Sequence, residues 1–165
     1  MSVAADILAL WRRPRETFRA KLAEGPREDR ALAVLMGASA LYFIAQWPQH
    51  ARAAHLDPSV PLDARIGGAL MGAVFLLPLV AYGVAALSHL VARAGGGRGT
   101  HAGARLALFW AMLATAPAML LYGAVAGLSG PGALAATIGL GVFLAFLWLW
   151  ITLLRTAEAG DGAWT

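Results

Sequence analysis

The sequence predicts an all-α membrane protein, a four-helix transmembrane bundle preceded by an amphipathic helix at the interface. Two observations carry that prediction. The chain has 165 residues, of which 59% are hydrophobic and 13% charged, about half the charged share of an ordinary soluble domain. Residues 66–92 and 106–128 are apolar runs without Lys, Arg, Asp or Glu, each long enough to cross a hydrocarbon core of about 30 Å. A basic, glycine-rich connector, Arg93 to Arg105, joins them.

The N-terminal segment, residues 1–29, comes first. Ile7, Trp11, Phe18 and Leu22 share one helical face, and Arg12, Arg13, Arg15, Arg19 and Lys21 cover most of the remainder. That pattern predicts a helix in the headgroup layer with Trp11 and Phe18 dipped toward the acyl chains. Pro14 either kinks this helix or starts a second one, and Gly25-Pro26 ends it.

The transmembrane domain is expected over residues 30–155. Its first span, 31–47, is short and ends before Pro48. Ser39, Tyr42 and Gln46 form a modest polar stripe on it that should face other helices. A connector over 48–65 holds His50, His55, Asp57 and Asp63. Their spacing matches no zinc pattern, so a solvated loop without metal is expected.

The second span, 66–92, carries Gly68 and Gly72, and the third, 106–128, carries Gly123 and Gly127. Such pairs let helix backbones approach closely. Pro78 and Pro117 each remove a backbone hydrogen bond in mid-span. With Thr115 beside Pro117, two bent helices would frame a cleft. Ser129 to Gly132 makes a turn, and the fourth span, 133–154, begins small, with Gly139 among its packing residues, and ends aromatic. Arg155 is expected to stop the helix, leaving a polar tail over 156–165 that includes Trp164.

Topology follows from charge. With four spans, one side holds eleven Lys and Arg, the other only Arg52 and Arg65. The positive-inside rule then places both termini and the glycine-rich connector in the cytoplasm. The richness in Ala, Gly and Arg suggests a GC-rich bacterial genome, hence an inner membrane. Net charge +4 points to anionic lipids before nucleic acid.

Catalytic chemistry finds no support. There is no cysteine, which removes disulfides, zinc thiolates and thiol nucleophiles. Walker loops, GxSxG elbows and HExxH pairs are missing, and no cofactor is expected. His89 is read as an interfacial residue near the end of the second span. Gly95, Gly96 and Gly97, with Arg98 beside them, form a flexible strip whose N–H groups could meet a lipid headgroup.

The residues also carry a family likeness. Leu90 to Thr100 with its glycine run, then Ala107-Leu-Phe-Trp110, then Ala116-Pro117 and Tyr122, resemble the core of the Yip1 domain family. The start, Leu10-Trp-Arg-Arg-Pro14-Arg-Glu-Thr-Phe18, is similar to the N-terminal segment of bacterial members. The resemblance implies a multi-span helical protein without catalysis. Eukaryotic members are linked to Golgi and endoplasmic reticulum trafficking, to Rab GTPases and to self-association. They usually have five spans and a long N-terminal region; here four spans follow about thirty residues.

Three expectations follow. The first is a non-enzymatic scaffold or accessory subunit that associates with other membrane proteins or with itself. The alternatives are a small carrier or channel for a neutral or lipid-like solute, and a membrane-shaping protein acting through the Trp11/Phe18 helix.

Overall fold

The computed structural model describes residues 2–25 and 27–159, and Pro26, Trp164 and most of the predicted tail lie outside them. Six helices occur among the described residues: α1 Val3–Arg12, α2 Pro14–Ala23, α3 Glu28–Leu56, α4 Leu62–Ala94, α5 His101–Ser129 and α6 Ala133–Glu158. No strand occurs among them. The protein is an all-α membrane protein, with α3 to α6 long and apolar enough to span a bilayer.

α5 is the axis of the bundle. Every residue from Ala107 to Ala116 is buried, because α1, α3, α4 and α6 all pack on this helix. Alanines supply much of the contact, among them Ala38, Ala85, Ala107, Ala111 and Ala114. Without a hydrophobic force between helices in lipid, such small side chains gain stability through close van der Waals packing. Thr100 caps the start of α5, its Oγ1 accepting the Gly103 N–H at 3.1 Å.

The N-terminal segment departs from its expected place. It is two helices: Arg13 leaves helical geometry at φ −140°, ψ 66°, and Pro14 begins α2, where its missing N–H has no carbonyl to serve. Asp6 and Lys21 meet at 2.7 Å, so α1 and α2 fold back on each other. Phe18 is 0% exposed and packs into the core with Leu108, Leu149 and Leu153; it does not reach lipid. Trp11 is 37% exposed, stacks on Trp148 at 6.4 Å, and donates its indole N–H to the Ala114 carbonyl at 2.9 Å. An indole N–H needs an acceptor when it leaves water, and the turn of α5 before Pro117 provides one. Arg12, Arg13, Arg15 and Arg19 remain exposed.

Trp11→Phe removes only that donor. The folded protein should lose about 1 kcal/mol, read as a lower midpoint of thermal unfolding in detergent. An unchanged midpoint would show that the indole contact contributes nothing.

The first span also differs. α3 runs through Pro48 to Leu56, so the expected long connector shrinks to residues 57–61 and His50 and His55 become helical. Gly127 makes room for the proline, since a Cβ there would overlap Pro48. Asp57 accepts from the Ser59 hydroxyl and N–H and faces Arg65 at 3.3 Å. The Ser59 hydroxyl, followed by its N–H, holds this exposed carboxyl below the ordinary aspartate range.

Pro78 does not simply kink α4. The helix widens into a π turn over Gly72–Leu76, and the Leu77 N–H reaches back to the Gly72 carbonyl. A π turn re-satisfies backbone groups that a proline would strand. At the opposite end of the bundle Gly130, at φ +75°, ends α5, and Arg52 donates to the Leu128 carbonyl at 3.2 Å. α6 continues past Arg155 to Glu158, one turn beyond its expected stop.

Candidate functional site

At the end of the bundle that carries the connector, three segments are tied together by one carboxylate. His89, on the last turns of α4, is 1% exposed. Its Nδ1 lies 2.6 Å from Glu158 Oε1. The other carboxylate oxygen of Glu158 accepts the Gly99 N–H at 3.1 Å. The Glu158 backbone carbonyl accepts the Arg98 N–H at 2.8 Å. The His101 ring lies 4.1 Å from that of His89.

Glycine is what lets the connector lie this close. A Cβ on Gly97 would stand 2.8 Å from Glu158 Oε2, and one on Gly99 would overlap the Ala157 carbonyl. Gly96 takes φ +91°, a conformation that favours glycine. The strip is therefore not free to receive an anion. The N–H groups of Gly95, Gly96 and Gly97 bond to carbonyls of Val91, Ala92 and Arg93. Burying an acid and an imidazole without water is tolerable only with close pairing and filled hydrogen bonds. Here both carboxylate oxygens are used, so the cluster holds the connector against α4 and α6.

Next to it lies a cavity of about 300 Å³ lined by Lys21, Arg30, Arg98, Arg105 and Trp110 among others. Its cations are largely spoken for: Lys21 by Asp6, Arg30 by Glu24, Arg105 by Glu28, Arg27 by Asp29. Lys21 also sits 5.0 Å over the Trp110 ring.

The glycine pairs separate into two kinds. Gly123 and Gly127 are buried, and a Cβ on Gly123 would overlap the Ala45 carbonyl of α3. Gly139 packs on Tyr122, 2.9 Å from where its Cβ would stand. Gly68 and Gly72 have nothing within 4 Å of a Cβ position among the described residues.

The expected cleft is also rearranged. Of Pro78, Thr115 and Pro117, Thr115 borders the open space between α4 and α6, with Tyr42 beside it. Pro117 is exposed on α5, and Thr115 is 0% exposed. The Thr115 hydroxyl donates to the Ala111 carbonyl at 2.9 Å and meets the Tyr42 hydroxyl at 3.0 Å. Tyr42 in turn reaches the Met112 carbonyl at 3.2 Å. That space lies between α4 and α6 over α5, about 590 Å³, with walls of Leu77, Val84, Met112, Thr115 and Phe146 among others. Among the described residues no three His, Asp or Glu side chains gather as a metal site.

Glu158 was the residue missed from sequence, being assigned to the tail. Two signals point to it in retrospect. A histidine inside an apolar span needs a polar partner, and Leu149, Leu153 and Ala157 continue a buried stripe along α6 to its last turn.

A family model described as the Yip1 domain matches residues 8–164. No curated protein and no solved structure matches the chain.

Proposed function

The chain belongs to the Yip1 domain family, and from that premise we propose that it is a non-enzymatic integral membrane protein that associates with other membrane proteins, as a scaffold or an accessory subunit. One observation carries this reading. Of two close-approach glycine pairs, Gly123/Gly127 is consumed by α3, while Gly68/Gly72 faces outward unused. α4 is open, with 17% of its most apolar stretch buried against 56% in α5 and 11% in α6, and of the two open helices it is the one with a glycine pair that meets nothing within 4 Å. A bare glycine pair on a spanning helix offers another helix the same close approach that α3 makes inside the chain.

The Lys and Arg distribution supports cytoplasmic termini and a cytoplasmic connector, and the richness in Ala, Gly and Arg supports a bacterial inner-membrane setting. The burial of Phe18 weighs against membrane shaping by the N-terminal helix.

The test is a mild-detergent pull-down of the tagged protein from its native membrane, beside Gly68→Leu/Gly72→Leu. Open space at both positions lets the variant fold normally. A stoichiometric membrane-protein partner, or a second copy, should accompany the wild type and be lost from the variant. Equal recovery from both would remove the reading.

A further inference from the structure

The space between α4 and α6 continues along the bundle. Toward the connector end it holds about 660 Å³ and is lined by Leu87, Val91, Leu154 and Arg155. Val84 and Trp150 line both this part and the deeper 590 Å³ part, so the two form one groove. Its rim lies on the outer surface of the bundle, where Leu87, Val91 and Phe143 are exposed. Water has little to bond to on such walls.

Two polar features break the apolar lining. Arg155, at the connector-end mouth, is exposed and has no acidic partner among the described residues. Glu158 at the same mouth is already held by His89 and the Gly99 N–H. About 8 Å along α6 from Arg155, the Trp150 indole N–H is enclosed without a partner among the described residues.

We propose that this groove holds an acyl chain of an anionic phospholipid from the connector-side leaflet, with its phosphate on Arg155. The dimensions and the charge agree. The groove follows α6 from Arg155 to Ala135, about 30 Å of helix, and its connector-side half, Arg155 to Phe146, matches the ~15 Å depth of one leaflet. A guanidinium at the mouth favours a negative headgroup. A partner's transmembrane helix would leave that arginine without a counter-charge unless it brought an acid of its own.

The test uses the full chain in phosphatidylcholine vesicles with a trace of phosphatidylglycerol bearing a photoreactive group on its acyl chain. Adducts are mapped by mass spectrometry, and a phosphatidylcholine tracer serves as the comparison. Adducts should concentrate at Val84, Phe146 and Trp150. The anionic tracer should label them about fivefold more, the weight of one arginine at an anionic surface. Arg155→Gln should abolish that preference while leaving the zwitterionic labelling unchanged, and Val84→Trp should block both. Adducts spread evenly over Leu79, Leu140 and Leu144 would overturn the proposal. So would headgroup-independent labelling, or groove residues cross-linking to a second protein chain.

Discussion

Glu158→Ala should free the glycine-rich connector and destabilise the fold by about 1–3 kcal/mol, the usual cost of leaving a buried hydrogen-bonding group without its partner. The variant leaves His89 buried against no acceptor and removes the carboxylate that holds the Gly99 N–H. The chain contains no cysteine, so Arg98→Cys is a clean reporter of connector exposure. Its reaction with a maleimide should accelerate when Glu158 is also replaced. Glu158→Gln keeps an acceptor for Gly99 and should fall between wild type and alanine. Unchanged labelling in Glu158→Ala would show that the connector is held by something else. If His89 and Glu158 act as one unit, their alanine replacements will be strongly non-additive.

Gly123→Leu should separate α3 from α5. A side chain at Gly123 would occupy the position of the Ala45 carbonyl, and backbone cannot turn aside as a flexible side chain can. Overpacking of this kind destabilises by about 3 kcal/mol or more when helices must part. The expected readout is a large drop in thermal midpoint with aggregation on size exclusion. Gly72→Leu, in open space, should leave both unchanged. Equal behaviour of the two variants would contradict the packing described for α3 and α5.

The spanning helices were legible because lipid leaves few alternatives to a long uncharged run. Their ends were not. Pro48 reads locally as a stop, yet Gly127, distant in sequence, opens the space that lets α3 continue. Trp11 and Phe18 read as an interfacial face because amphipathicity says only that a face is apolar. Whether lipid or protein covers it depended on the Ala114 carbonyl and on Leu149 and Leu153 of α6. The glycines of the connector stood out by composition, but their reason lay in Glu158, about sixty residues on. Of the two glycine pairs, nothing in the local sequence distinguishes the one α3 covers from the one left open.

The central claim is that the open Gly68/Gly72 face of α4 meets another membrane protein. Single cysteines at Met71 or Leu76, both exposed on α4, can be cross-linked in intact membranes and compared with cysteines at Leu140 or Leu144, exposed on α6. Adducts of one defined size, from the α4 positions and not from α6, are the predicted result. Equal adduct yields from both helices, or none from α4, would contradict it.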